Sequence, residues 1–441
     1  LTSNQIDLIT EERKRVRWTK AELSKFFTLR YLGKRAYQYL RDDLNFPAAS
    51  ISTLQRYGRT LNLKQGILDD VINLLKNITV DLPECHRECV LSFDEMKVNR
   101  ILEYDPASDE VLGPHNYLQV VMARGLFKNW KQPVFIGFDQ QMTKEILFEL
   151  IKRLYAIKIN VVAIVSDNCQ SNIGCWKDLG AHDYCHPFFS HPITKCNIYV
   201  FPDAPRLLKL IRNWLIDTGF EYNNKLIKAD KLFELVAYRN AAELTPVHKL
   251  TQNHLVMTPQ ERQNVRRAAE VLSRTTAIAL QRYFPDDCDA QELASFIEKV
   301  DMWFSVANSY SPCAKLHYKK SFNANENQLA ALSDMFELMS NITALGKKSM
   351  QVFQKSLLMH ITSLKMLYED MRKKHSIVYI STYKLNQDVL ENFFSQLRQI
   401  GGVHDHPSPL HCMYRIRMMI LGKSPTTLKN HTELKNDDVE N

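Results

Sequence analysis

The sequence predicts a mixed α/β fold joined to a large all-α region. Two observations carry this prediction. Between residues 81 and 218 the apolar residues recur mainly at every second position or in short continuous runs, which is typical of strands. In residues 1–80 and 219–376 they recur at helical spacing instead. A chain of 441 residues with 45% hydrophobic and 24% charged residues has enough apolar material for several globular domains.

Residues 1–80 predict a helical region of the helix-turn-helix type. Apolar residues around Phe26 keep helical spacing, Gly33 interrupts this helix, and Ser50 or Ser52 can cap a later one. The same segment is rich in lysine and arginine. Short helices with a basic surface suit contact with DNA. A helical packing domain with a solvated basic face is the alternative interpretation.

Residues 81–218 predict the first part of an RNase H-like core. Three strands come first, and then helices alternate with the strands NVVAIVSDN and KCNIYVFPDAP, the second of which ends where Asp203 can cap a helix. This element order is that of an RNase H-like fold. Residues 377–400 contribute its last helix, so residues 219–376 are predicted to be an all-helical insertion.

Three carboxylates are the candidate catalytic and metal-binding residues. Asp94 lies within the strand VLSFDEMKV, where alternation places Glu95 on the opposite face, and Asp167 ends a buried strand. Because sites form at the carboxyl ends of parallel strands, these two aspartates are expected to converge. Glu391 on the last core helix is the predicted third ligand, with Asp388 as the runner-up. Such oxygen ligands suit two Mg²⁺ ions, although Asp167 as a plain helix cap is the alternative.

Composition limits the classes of partner. The net charge of +8 permits a nucleic-acid partner, and no apolar run is long enough to cross a membrane. The nine cysteines include no CxxC pair, which favours a reducing, intracellular compartment. The first residue is Leu1, as expected for a piece of a longer protein.

Four segments together resemble the P element family of DNA transposases: SFDEMKV, IVSDNCQSN, FPDAPRLLKLIRNWL and QDVLENFFSQLRQIGG. The resemblance implies cut-and-paste transposition by an RNase H-like core, with Asp94, Asp167 and Glu391 as its acidic triad. It also implies that the helical insertion binds GTP as a cofactor that is not hydrolysed. Transposon ends and target DNA would be the partners, the protein would form homo-oligomers, and it would act in the nucleus.

The GTP prediction rests on this resemblance, because the sequence has neither a Walker A loop nor a guanine-reading NKxD motif. Lys249, at a predicted loop-to-helix transition, could contact phosphates, and Ser273 is a weaker candidate. Asp301 could accept hydrogen bonds from guanine beside the face of Trp303, although core packing is the alternative for this cluster. Asp388, near the junction of core and insertion, could also face the nucleotide.

Two other functions remain open at this point. A domesticated transposase could keep DNA or GTP binding without catalysis, and a related nuclease could cut without joining. The presence of all three acids favours the enzyme. Residues 401–441 are predicted to contact DNA, with an amphipathic helix as the alternative for the stretch HCMYRIRMMILGK.

Overall fold

The computed structural model describes residues 1–61, 63–106, 109–241, 250–400 and 406–422. Its N-terminal region is helical, as predicted, with one two-residue strand before the last helix. Gly33 separates the second helix from the third, and the Ser50 hydroxyl accepts a hydrogen bond from the Thr53 N–H at 3.1 Å, which caps the fourth. The elements are α1 (Ser3–Ile9), α2 (Lys20–Leu32), α3 (Lys34–Gln38), α4 (Ile51–Gly58), β1 (Gly66–Ile67) and α5 (Asp69–Thr79).

The next region forms the central sheet and its helices. Strands β3 and β4 form a separate two-stranded antiparallel sheet, and β8 is a short strand that the sequence pattern does not predict. The elements are β2 (Glu88–Lys97), β3 (Glu103–Asp105), β4 (Glu110–Leu112), β5 (Tyr117–Gly125), β6 (Lys131–Phe138), α6 (Lys144–Ala156), β7 (Asn160–Ser166), α7 (Gln170–Leu179), β8 (Phe188–Ser190), β9 (Asn197–Pro202) and α8 (Ala204–Asp217).

The central sheet has seven strands in the order β1-β6-β5-β2-β7-β9-β8. Strands β6, β5 and β2 are antiparallel neighbours, whereas β2, β7 and β9 run parallel. Its two faces are covered differently. Leu91 and Phe93 of β2 share a core with α6 and α7, while Val90 shares one with α8 and the region that follows. Both faces are therefore buried, as expected of parallel strands.

The region after α8 is mainly helical and contains a small three-stranded sheet, in the order β11-β10-β12, that the sequence does not predict. Its helices start at side-chain caps, among them Ser273, Asp287 and Asn325. The elements are β10 (Phe220–Tyr222), β11 (Lys225–Ile227), α9 (Asp230–Ala241), α10 (Val265–Val271), α11 (Arg274–Tyr283), α12 (Cys288–Ala307), α13 (Glu326–Asn341), β12 (Thr343–Ala344) and α14 (Val352–His375).

The last two helices are α15 (Asp388–Gln399) and α16 (Pro409–Gly422). The apolar side of α16, including Ile416 and Ile420, is buried against α2 and α15 in one core with the N-terminal helices. The described residues of this stretch therefore form the amphipathic helix of the alternative. DNA contact by residues 401–441 stays a prediction, and residues 401–405 and 423–441 lie outside the described residues. Across the described ranges, no helix is both long enough and apolar enough to span a bilayer.

Candidate active site

The two predicted aspartates meet at one end of the central sheet. Ser92 of β2 pairs with Val165 of β7, and Asp94 and Asp167 each follow two residues later along these parallel strands. The Arg206 guanidinium lies between them. Its Nη2 donates to Asp94 Oδ2 at 2.6 Å, and its Nη1 donates to Asp167 Oδ2 at 2.5 Å. Two carboxylates from neighbouring strands are thus held within reach of a single cation.

Asp94 is buried, with 8% of its surface exposed, whereas Glu95 is exposed. Burial raises the pKa of Asp94 to about 6; the Arg206 charge opposes this shift, and the charges of Asp167 and Glu391 add to it. Since a buried carboxylate is costly without a compensating cation, this site requires positive charge beside Asp94.

Asp167 is held by the loop that follows β7. Its Oδ1 accepts hydrogen bonds from the Cys169 N–H at 3.2 Å and from Asn172 Nδ2 at 2.6 Å. The N-cap position of α7 belongs to Cys169, so Asp167 is not the plain helix cap of the alternative interpretation. Its Oδ1 is fixed by the loop while its Oδ2 faces Asp94 through Arg206.

Glu391 lies in the first turn of α15 and is exposed. The helix is anchored by three buried apolar side chains, Val389, Phe393 and Leu397. The Glu391 charge contributes to the raised pKa values of Asp94 and Asp203, so its carboxylate lies within electrostatic reach of these two residues. Among the described residues, the three acids do not form a cluster with ligand atoms within 4.8 Å of one another.

Asp203 joins the elements of the site. Its Oδ2 accepts from the Arg206 N–H at 3.0 Å, which confirms the predicted cap of α8, and its Oδ1 accepts from the Gln387 N–H at 2.8 Å. Gln387 in turn donates through Nε2 to the Phe93 carbonyl at 2.7 Å. Burial raises the pKa of Asp203 to about 7, opposed by these bonds. One carboxylate therefore ties the starts of α8 and α15 to β2.

Oxygen ligands of this kind fit a hard divalent cation. The fit follows from the donor set, because two aspartate oxygens already bind the two ends of one guanidinium. A different group, Glu84, Glu88 and His375, does have ligand atoms within 4.8 Å of one another. There the Lys374 ammonium already lies 2.7 Å from Glu88 and 3.5 Å from Glu84, so the chain supplies its own cation.

Comparison with known proteins identifies the family. Relative to the Transposable element P transposase of Drosophila melanogaster, the chain is 35% identical over 431 residues, which covers 96% of this chain and 56% of that protein. The solved Drosophila P element transposase strand transfer complex matches with a TM-score of 0.92 and 33% identity over 97% of both chains. The chain belongs to the P element transposase family.

Three domain models of the family match successive parts of the chain. The TNP-like RNase H N-terminal domain matches residues 63–180, the TNP-like GTP-binding insertion domain residues 206–321, and the TNP-like RNase H C-terminal domain residues 383–411. The human DNA transposase THAP9 is 24% identical over 86% of this chain and 46% of its own length. The predicted RNase H-like core with an insertion is thus confirmed, and the chain spans about half the length of these curated relatives.

Two of the predicted GTP-binding residues, Ser273 and Asp301, lie together at the start of α11. Ser273 caps α11 by accepting from the Thr276 N–H at 3.3 Å. Asp301 lies at the same helix start, where it accepts a backbone hydrogen bond from Arg274, and burial raises its pKa. Its Oδ2 is buried and makes no hydrogen bond to the described residues. Trp303 is fully buried, which agrees with the core-packing alternative rather than with an open aromatic face.

Asp388 lies apart from this pair. Asp388 accepts from Asn386 Nδ2 at 2.9 Å, and the same amide donates to Asn308 at 3.0 Å, so Asp388 faces the C-terminal end of α12. At 1.5 Å per residue, this end lies about 10 Å along the helix from Asp301. Lys249 lies outside the described residues.

Sequence reasoning missed both cations of the site. Lys209 lies one turn after Arg206 on α8 and is 8% exposed; burial lowers the pKa of its ammonium, while the charges of Glu391, Asp203 and Asp94 oppose this shift. The signal available was the run PRLLK after the capping Asp203, which places two cations three residues apart on one helix face.

Proposed function

We propose that this chain carries the catalytic core of a cut-and-paste DNA transposase that cleaves DNA strands and joins them to a target. The observation that supports this most directly is the convergence of Asp94 and Asp167 around one cation, with Glu391 within electrostatic reach. Membership of the P element family supports the reaction type. Because the curated relatives are about twice as long, the activity of a whole protein is part of the proposal.

The three acids would hold the metal, with Mg²⁺ as the proposed ion. Two bound metal ions supply an activated attacking oxygen and a stabilised leaving oxygen in phosphodiester chemistry. The protein's contribution is to hold the ligands in place. Asp167 is fixed by its loop, Asp94 by β2, and Glu391 by the anchored helix α15, whose start is bonded to Asp203.

Double-stranded DNA, as transposon ends and as target, is the proposed substrate. A cavity of about 940 Å³ in the N-terminal region supports a contact with the phosphate backbone of DNA. Of the described residues that line it, none is acidic, and five are basic: Lys14, Arg15, Arg17, Arg41 and Arg56. Such a surface suits phosphates, and its binding should weaken with salt. We further propose that the protein acts in the nucleus as a homo-oligomer, since two DNA ends must be held together.

GTP is the proposed second cofactor, bound by the insertion and not hydrolysed. The family description of residues 206–321 supports the ligand. The buried, unpartnered Oδ2 of Asp301 beside the start of α11 supports a site near Ser273 and Asp301. Lys249 and Asp388 are proposed as further contacts. Binding of fluorescent GTP tests this: Asp301→Asn should weaken it at least tenfold (~1.4 kcal/mol), and unchanged binding would remove Asp301 from the site.

A cleavage assay on transposon-end DNA with Mg²⁺ tests the catalytic proposal. The wild-type chain should nick the DNA, and a pre-cut end should be joined to target DNA. Nicking without joining would indicate a nuclease. DNA binding without either reaction would favour the domesticated, non-catalytic alternative.

A further inference from the structure

Arg206 binds one oxygen of each of the two aspartates that would hold a divalent metal. Its Nη2 and Nη1 contact the Oδ2 atoms of Asp94 and Asp167 at 2.6 and 2.5 Å. We propose that Arg206 competes with the metal for these carboxylates and, once displaced, binds a phosphate of the DNA. This inference rests on the proposed function, because it assigns a role to Arg206 within the same site.

The competition follows from how Arg206 is held. Its backbone N–H is bonded to Asp203, so the residue is fixed in the first turn of α8, and 29% of its side chain is exposed. A guanidinium stays charged at any physiological pH and fits two oxygens at once. A metal must therefore replace two charge-assisted hydrogen bonds before it can bind both aspartates.

A displaced Arg206 side chain could bind a phosphate of the DNA. The side chain is partly exposed, and its Nε makes no hydrogen bond within the described part of the chain. Guanidinium groups bind phosphate well, and the scissile DNA must lie beside the metal ligands. If the phosphate accepts Arg206, then DNA lowers the cost of metal entry, and by linkage metal favours DNA.

Titration with Mn²⁺ alone, in the absence of DNA, tests the competition. Arg206→Gln should lower the Mn²⁺ dissociation constant about tenfold or more, equivalent to ~1.4 kcal/mol. Lys209→Gln is the matched control, since it removes a nearby charge from the same helix without vacating the carboxylates. Its effect should be smaller. Equal or weaker binding by Arg206→Gln, or an equal effect of Lys209→Gln, would overturn the proposal.

Two further variants distinguish a failure of the Arg206 proposal from a failure of the proposed metal site. If Asp94→Asn and Asp167→Asn leave Mn²⁺ binding unchanged, the metal site itself is wrong, and the Arg206 proposal falls with it. If they abolish binding while Arg206→Gln changes nothing, only the Arg206 proposal fails. Thermal melting checks folding: Arg206→Gln should melt at a lower temperature than wild type in EDTA and gain more from saturating Mn²⁺.

A second titration in the presence of duplex DNA tests the phosphate contact. DNA should tighten Mn²⁺ binding by a larger factor in the wild-type chain than in Arg206→Gln. The same factor in both proteins would refute the phosphate contact.

Discussion

The two ends of β2 carry buried carboxylates that differ in how they are neutralised. At its start, Glu88 is fully buried and within 2.7 Å of three groups, namely Lys374 Nζ, His375 Nε2 and Asn160 Nδ2. Near its other end, Asp94 shares one guanidinium with Asp167. Both places resemble cation sites, but Glu88 contacts three donor groups, whereas Asp94 shares its one guanidinium with a second carboxylate.

This difference separates a structural charge network from a candidate catalytic one. Every oxygen of Glu88 is bonded to groups of the chain itself, so its charge serves to join β2 to the end of α14. At the other end, four acids, Asp94, Asp167, Asp203 and Glu391, lie around two cations, Arg206 and Lys209, and this excess of negative charge favours a metal. Four predictions test this distinction, from the largest expected effect to the smallest.

Removing one charge from the triad should have the largest effect. Asp94→Asn, Asp167→Asn and Glu391→Gln should each reduce DNA cleavage about 10³-fold or more, because each removes a metal ligand while keeping the side-chain size. Nicking assays measure the loss, and DNA binding serves as the control and should be retained. Substantial cleavage by any of the three variants would remove that residue from the proposed triad.

Breaking the network at the other end of β2 should affect stability instead. Glu88→Gln should lower the free energy of unfolding by about 2–3 kcal/mol, because Lys374 and His375 lose their buried partner. Urea denaturation measures the change. Glu84→Gln is the matched control: this exposed residue is 3.5 Å from Lys374, and its loss should cost less than about 0.5 kcal/mol. Equal losses of unfolding free energy in the two variants would mean that Glu88 joins β2 to α14 no more strongly than Glu84 does.

Asp203 should affect both properties. Asp203→Ala removes the cap of α8 and the bond to Gln387, and we expect a loss of about 1–2 kcal/mol in the free energy of unfolding. Cleavage should fall as well, since α15 carries Glu391. Asn325→Ala, which removes the cap of α13 far from the acids, should destabilise the chain by a similar amount but leave cleavage unchanged. Loss of cleavage in both variants would contradict a specific role for Asp203.

The fourth prediction concerns the buried, ionisable side chain of His360. Both of its ring nitrogens are buried without hydrogen bonds to the described residues, and burial lowers its pKa to about 4. As far as His360 is concerned, the folded chain is most stable above pH 6.5, where this residue is neutral in both the folded and the unfolded chain. The free energy of unfolding falls as the pH drops from 6.5 toward 4, because only the unfolded chain then binds a proton at His360. This loss should be about 1 kcal/mol between pH 6.5 and 5.5. In His360→Leu, denaturation curves over this range should lack that part of the pH dependence; the same slope in both proteins would contradict it.

The sequence could predict the parts of the site that follow from local pattern. Strand alternation singled out Asp94, the end of an apolar strand singled out Asp167, and Asp203 was recognisable as a helix cap. Local pattern leaves Asp388 and Glu391 as alternatives on one helix face, and the family resemblance favours Glu391.

The rest depends on contacts between distant segments. Gln387 bonds to Asp203 across 184 positions, and no local pattern marks such a pair. The role of Arg206 likewise requires two strands and a helix to be assembled. The strands β1, β8 and β10 to β12 have two or three residues each, which is too short for alternation to be detected.

The packing of α14 has a consequence for any attempt to separate the insertion from the core. Ser363 Oγ donates to the Val200 carbonyl of β9 at 2.6 Å, and Phe353, Leu357 and Leu364 of this helix share one continuous core with Tyr199 and Phe201. A shortened chain in which α8 runs directly into α15 would expose to water the apolar side chains of β7 and β9 that pack in this core. The insertion and the core are therefore expected to unfold together in a single cooperative transition.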